Sequence, residues 1–415
     1  VPAVLVTFFA DGIGQGIQTV STFIPPIFFI FLCLSFLEDS GYMARAAFVM
    51  DRLLRLIGLP GKAFLPMLVG FGCNVPGILA TRTLENERDR RLAILMNPFM
   101  SCGARLPVYT LFAVIFFPQH GGQLIFGLYM TGILLAVLTG LLLKRTLMPG
   151  APSTFVMELP PYHLPTVNGI LFHTWHRLKG FIVRAGGVIL AVVVLTSAIG
   201  AMDALVHARD ADTGYPVQKG LLARVARHVT PVFAPMGISQ DNWPATVGLV
   251  AGVFAKEAVA GTLVSLYRHE AVVDGAPEPF VLREGVVNAF QAIPDGFVAL
   301  FGGGADNTGE STPQGGIRDA FGSRASVIAY LLFILIYCPC VAVIGAIYQE
   351  TNMKWTVFSV TYLTLLAWVV ATLFYQSSQV LTQPAVAGCW IAGCLGFLMA
   401  GIVGLRWVGR HGGRG

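Results

Sequence analysis

Three of the seven cysteines in this chain sit where an apolar run is interrupted by small and polar residues. Cys73 lies in Gly70-Phe71-Gly72-Cys73-Asn74-Val75-Pro76-Gly77. Cys102 lies in Asn97-Pro98-Phe99-Met100-Ser101-Cys102-Gly103-Ala104-Arg105, and Cys340 in Cys338-Pro339-Cys340. In most cores a cysteine is a small hydrophobe. At helix breaks, beside Asn74 and Ser101, these three read instead as soft donors or gate residues lining a cation path. Carbonyls freed at Gly72 and Pro98 could add hard oxygen ligands. Such a mixed path binds weakly at several points, as conduction requires. Cys338-Pro339-Cys340 is a poor redox pair, because residues i and i+2 do not share a helix face and proline drives its predecessor out of the α region. Cys33, Cys389 and Cys394 lie in uninterrupted runs and read as packing residues.

The acids come next. Glu257 stands in the apolar run Val247–Tyr267, where an ionisable side chain is costly and by default functional. Lys256 beside it is a poor partner, since adjacent helical residues diverge by about 100°. Glu38 and Asp39 follow a long apolar segment, and Glu350 closes another; each could hold a cation at a vestibule or simply be solvated at an interface. Arg105 and Lys256 could instead pair with these acids structurally. The run Arg82–Arg91 reads as a solvated loop or helix start, with partner docking as the alternative. His173 and His176, three apart, fall in an interfacial context that does not read as a metal site. No H-E-x-x-H, G-x-S-x-G or G-x-x-x-x-G-K-[ST] occurs, so the chain shows no hydrolase or NTPase signature.

The elements that must position these groups are membrane helices. Of 415 residues, 55% are hydrophobic and 12% charged, about half the roughly 25% charged residues usual in soluble domains. Mean hydropathy is +0.70. Apolar runs at Phe23–Leu37, Leu106–Phe117, Leu124–Leu143, Phe181–Ala201, Ala329–Tyr348, Val357–Tyr375 and Ala385–Val408 approach or reach the roughly 20 residues that cross a bilayer. The net charge of +5 suits cytoplasmic Lys/Arg flanks and gives no reason to invoke nucleic acid. The cysteines lie mostly within apolar segments, which argues against an extracellular disulfide framework. Val1 is preceded by no initiator Met and followed by no signal-peptide pattern, so a natural N-terminus upstream is expected.

Amphipathic patterning predicts interfacial helices over Met43–Leu56, with a re-entrant helix as the alternative, and over Asn168–Lys179. Pro149–Pro165 is a Pro-rich connector, and a small helix is expected around Leu221–Val229. Paired interrupted segments mark a transporter's binding site, and here they recur. GFGCNVPGILATR precedes MSCGARLPVY in the first half; GVFAKEAVAGTLVS precedes CPCVAVIGAIY in the second. Cys102 corresponds to Cys340, and Tyr109 to Tyr348. The expected organisation is a first membrane half over 1–201, a polar loop over 202–243, and a second half over 244–415 that includes a polar loop at 269–323 with Gly302–Asn307.

The strings LEDSGYMARAAFVMDR (37–52), GFGCNVPGILATRTLENERDRR (70–91), NPFMSCGARLPVY (97–109), FAKEAVAGTL (254–263) and CPCVAVIGAIYQET (338–351) resemble the membrane domain of the ferrous iron transport protein B (FeoB) family. The resemblance implies an all-α, polytopic helical membrane protein of the bacterial inner membrane. It further implies two gate-type repeats, at about 63–117 and 244–351, containing interrupted or re-entrant helices. It implies inward Fe(II) transport, no enzyme activity or cofactor in this chain, and regulation by a cytoplasmic GTPase domain that would bind GTP and Mg. Membrane lipid, FeoA- and FeoC-type accessory proteins and a homo-oligomer are the partners it implies. The path residues it points to are Cys73, Cys102, Cys340, Glu38 and Glu257 with Asn74, Asp39 and Glu350. A nucleoside carrier sharing the gate architecture, or a non-transporting sensor or scaffold, are the alternatives.

Overall fold

The computed structural model describes residues 15–150, 162, 164–183, 221–271 and 314–411, and among these the chain is helical without strands. In the first half α1 (Gln15–Asp39) is followed by α2 (Tyr42–Ile57), α3 (Phe64–Gly72), α4 (Asn74–Ala80), α5 (Glu87–Met96), α6 (Leu106–Phe116), α7 (Gly121–Thr146) and α8 (Val167–Phe181). The second half adds α9 (Leu221–Val229), α10 (Trp243–Phe254), α11 (Ala258–Ala271), α12 (Gln314–Phe321), α13 (Arg324–Ile336), α14 (Val341–Glu350), α15 (Met353–Gln379) and α16 (Pro384–His411). Among the described residues, five stretches are long and apolar enough to cross a membrane: Glu87–Phe116, Gly121–Thr146, Arg324–Glu350, Met353–Gln379 and Pro384–Arg410. Of the expected segments, residues 1–14, 184–201 and 202–220, and 272–313 with Gly302–Asn307, lie outside the described residues.

The expected span at Leu106–Phe117 is only the second half of a longer one. Alone, α6 has 11 residues, well short of a bilayer. It becomes a 30-residue stretch only with α5, across the break at Asn97–Arg105. The charged run contains the expected helix start, α5 beginning at Glu87, but part of it is not solvated. Asn86 caps α5, its side chain accepting from the Arg88 amide at 2.9 Å, as N-cap residues do. Arg88 and Asp89 are not solvated: Asp89 is buried and pairs with Arg88 at 2.8 Å, while Arg88 donates to the carbonyls of Met148 and Gly150 at 2.9 and 3.0 Å.

Helix α2 buries Met43, Ala47 and Leu54 on its expected apolar face, but it also exposes the apolar Phe48, Val49, Leu53 and Leu56, which amphipathic patterning alone does not place outward. At Gly58 the backbone turns left-handed (φ 91°) and donates to the carbonyls of Arg55 and Leu54, a cap that glycine adopts without steric cost. The segment from Gly61 then departs at 100° from α2, the geometry of a re-entrant or broken span.

At the centre stand α5 and α13, the first halves of the two interrupted spans. Every residue from Ala329 to Ile336 on α13 is buried, and a helix apolar all round belongs in a core. Within a membrane, packing rather than water exclusion holds helices together, and small residues allow close approach. Gly132, Ala136 and Gly140 on α7 form such a seam. They are buried, and a Cβ on Gly132 would stand 2.7 Å from the Phe99 carbonyl oxygen. The halves meet through Phe112, Phe321 and Tyr330, whose ring centroids lie 5.1–5.5 Å apart. Helix α15 packs on α13 and binds the Pro-rich 3-10 segment Thr230–Met236, with Trp368 donating to Val232 O and Gln376 to Pro235 O, both at 2.8 Å.

Candidate functional site

Four helix breaks build the site, and they come in two matched pairs. Between α3 and α4 a single residue, Cys73, is extended (φ −153°, ψ 129°). Between α10 and α11 the extended residue is Ala255 (φ −147°, ψ 122°). The repeat suspected in the sequence is therefore a repeat of backbone geometry, with Lys256 following Ala255 as Asn74 follows Cys73. The second pair falls at Cys102 (φ −76°, ψ 159°), just before the 3-10 turn Gly103–Arg105, and at Cys340 (φ −62°, ψ 155°), just before α14. The correspondence does not extend to the tyrosines. Tyr109 is buried and bonds Ser101 at 3.1 Å, whereas Tyr348 is exposed.

The breaks bring side chains from distant parts of the chain together. Cys73 is close enough to Cys102, Cys340 and Glu257 to interact with each electrostatically. All three thiols keep some accessible surface, and Cys338 is buried beside them. The two breaks lie side by side, the Cβ position of Gly103 standing 3.7 Å from the Gly72 carbonyl oxygen, an ordinary van der Waals distance. That carbonyl has no i+4 donor, because the fourth residue on is Pro76, which lacks an N–H. Asn74 Oδ1 and Glu257 Oε1 are buried acceptors with no partner among the described residues, and buried acceptors are rarely left so. Among the described residues no three His, Cys, Asp or Glu side chains close into a metal cage.

Arg105 and Lys256 do not pair with the acids. They bond carbonyls that the breaks release, as backbone at membrane depth demands. Arg105, buried, donates from Nη2 to Pro98 O at 3.2 Å and from Nη1 to Met100 O at 3.4 Å, so the Pro98 carbonyl expected as a ligand is already occupied. Lys256 donates to Cys338 O at 2.8 Å. Asn97, absent from the predicted site, is fully buried and donates to Pro66 O at 2.8 Å, joining the break at Cys102 to α3. Its one signal in the sequence is its place before Pro98 in an apolar run.

The remaining predicted acids lie at a distance. Glu38 pairs with Arg177 of α8 at 2.6 Å, Asp39 ends α1 half-buried, and Glu350 accepts from Arg82 at 2.7 Å. A cavity of about 390 Å³ has Glu38, Arg177, Arg82 and His176 in its wall, with Val75 and Ala342, two residues on from Cys73 and Cys340, on the same wall. His176 joins this wall although its sequence context gave no sign of it. Of the other cysteines, Cys394 is buried as a packing residue is, whereas Cys33 and Cys389 lie on exposed helix faces.

Similarity to known proteins follows the same architecture. The family described as "Gate: Nucleoside recognition" matches residues 20–116 and 182–354. The family described as "Ferrous iron transport protein B C terminus" matches residues 125–177. Proteins named "Fe(2+) transporter FeoB" from Salmonella paratyphi A, Shigella flexneri and Escherichia coli K12 are each 46% identical over 92% of this chain. The chain spans about half the length (50%) of these curated relatives. No solved structure matches it.

Proposed function

The chain belongs to the FeoB family of gate-domain proteins, and from that premise we propose that it is the membrane permease part of a bacterial Fe(II) importer. What supports the reading is that Cys73, Cys102, Cys340 and Glu257, from four separate helix breaks, lie within electrostatic range of one another, with Asn74 Oδ1 and Glu257 Oε1 unpartnered beside them. Fe(II) is the cargo. It binds N, O and S donors weakly within the divalent series, and a few thiols with unpaired oxygens hold such an ion loosely enough to release it. Glu257 and Asn74 supply the hard oxygens and the Gly72 carbonyl a third. Glu38 and Asp39 at one end of the cavity, with Glu350 behind Arg82, hold the cation on its way to or from the constriction.

In this reading the protein lies in the inner membrane and the chain carries no catalytic group or resident cofactor. GTP hydrolysis with Mg belongs to a cytoplasmic domain outside these 415 residues. FeoA- and FeoC-type proteins and further copies of the chain are its proposed partners.

Proteoliposomes holding the full-length protein provide the test. Cys102→Ser should lower Fe(II) uptake by at least about tenfold, because a hydroxyl is a poorer soft donor than a thiol. Unchanged uptake removes Cys102 from the path. The description of the matching gate family keeps a nucleoside cargo as the competing reading; inhibition of uptake by uridine rather than Mn(II) would favour it.

A further inference from the structure

Helices α7, α15 and α16 contain no aspartate or glutamate. Their basic residues gather at one end: Arg145 closes α7, Lys354 opens α15, and Arg406 and Arg410 stand in the last turns of α16, all four exposed. These ends meet, because α16 packs on both α7 and α15 and Gly409 lies so close to the Thr146 carbonyl that no Cβ would fit there. Among the described residues no carboxylate pairs with any of the four cations. Trp355 and Trp407 adjoin Lys354 and Arg406 in the chain, the aromatic and basic composition of a cytoplasmic membrane interface.

Beneath the cations the three helices leave an apolar groove of about 400 Å³. On α15 it runs from Phe358 to Val369, about 16 Å at the rise of an α-helix, close to the hydrocarbon depth of a single leaflet. Gly401 and Gly404 form part of its wall, with nothing within 4 Å of their Cβ positions. Helical register brings the cations to its mouth. Lys354 precedes the wall residue Phe358 by four, Arg145 follows Leu142 by three, and Arg406 follows Ile402 by four, spacings that share a helix face. A second apolar groove, about 460 Å³, lies between α14 and α15 and is lined by Ile344, Tyr348, Val357 and Val360. Thr361 borders both grooves, and Lys354 stands at the head of the ridge that separates them.

We propose that this end of the molecule binds one anionic diacyl phospholipid, its headgroup phosphate held by Lys354, Arg145 and Arg406 and one acyl chain lying in each groove. Two grooves under one set of cations fit a ligand with two chains and one headgroup. Cations without acids on their own helices fit a negative headgroup, and basic pockets between membrane helices bind such groups. A free phosphate would leave both grooves unused, and a zwitterionic lipid would gain little from the cations.

The full-length protein in detergent is titrated with palmitoyl-oleoyl phosphatidylglycerol or phosphatidylcholine, and bound lipid is counted by native mass spectrometry. One phosphatidylglycerol should bind at least about tenfold more tightly than phosphatidylcholine, since each cation near the headgroup contributes about fivefold. Equal affinity for the two lipids overturns the proposal, because the groove is then ordinary lipid-facing surface. Lys354→Ala combined with Arg406→Ala should weaken phosphatidylglycerol by at least about fivefold and leave phosphatidylcholine unchanged. Gly404→Leu places a side chain in the open space of the groove and should weaken phosphatidylglycerol by at least about fivefold at an unchanged melting temperature. Phosphatidylglycerol binding that survives Gly404→Leu, or that inorganic phosphate displaces and chloride at equal ionic strength does not, marks a bare anion site and also overturns the proposal. Should the double variant fail to fold, Gly404→Leu and the wild-type comparison decide.

Discussion

Arg82 donates from Nε to Oε1 of Glu350 at 2.7 Å, so a single ion pair ties the end of the first interrupted helix pair to the last residue of α14 in the second half. The Glu350 side chain is 4% exposed and that of Arg82 53%, so the bond is screened at one end only. Arg82→Ala would leave a buried carboxylate without its donor and should destabilise by about 1–2 kcal/mol, between the values for exposed and buried pairs. Thermal unfolding in detergent should show the loss. Adding Glu350→Gln should recover part of it, and a double variant no more stable than Arg82→Ala would mean the pair is not coupled.

The seam on α7 makes a sharper prediction. Gly132→Ala would push a methyl to 2.7 Å from the Phe99 carbonyl oxygen and 3.4 Å from Leu335, displacing the break that carries Cys102. Overpacking of this kind costs about 1–3 kcal/mol. Gly127 lies on the same helix with nothing within 4 Å of its Cβ position, so Gly127→Ala should be neutral or slightly stabilising, as alanine is in a helix interior. Similar melting temperatures for the two variants would contradict the seam.

Asn97 tests the coupling between breaks. Its Nδ2 holds Pro66 O, and glycines flank it on both sides: Cβ atoms on Gly70 and Gly77 would come within 3.0 and 2.8 Å of its amide. Asn97→Ala should cost about 1–3 kcal/mol for the lost bond and should lower Fe(II) uptake, because α3 and the Cys102 break lose their common tie. Asn97→Asp supplies no donor when ionised and should be worse. If Asn97→Ala melts lower yet transports at the wild-type rate, the tie is structural alone.

Much of the site was legible because a helix break has a strong local cause. Pro76, Pro98 and Pro339 each remove a backbone donor and Gly72 weakens the helix it ends, and Cys73, Cys102 and Cys340 all fall where those residues predict a break. The breaks at Cys73 and Cys340 are found at the residues themselves. The small helix expected around Leu221–Val229 has those bounds.

What the chain could not show locally were the partners. Arg88 and Asp89 resemble any solvated charge run until Met148 and Gly150, some 60 residues away, supply the carbonyls that bury them. Arg105 and Lys256 were weighed as partners for the acids; instead they hold carbonyls released at breaks, because breaks in a membrane create acceptors that only a folded neighbour can reach. His176 gained its place on a cavity wall from α1, α4 and α14 packing around α8.

By itself, then, the sequence determined that this is a helical membrane protein, where its helices break, and that soft donors stand at the breaks, since hydropathy and backbone dihedrals are properties of neighbouring residues. Only the tertiary structure decided that Cys73 lies within electrostatic range of Cys102, Cys340 and Glu257, that Glu38 and Glu350 are held by Arg177 and Arg82, and that a lysine sits on the Cys338 carbonyl. Those are contacts between residues tens to hundreds of positions apart, and packing alone selects them.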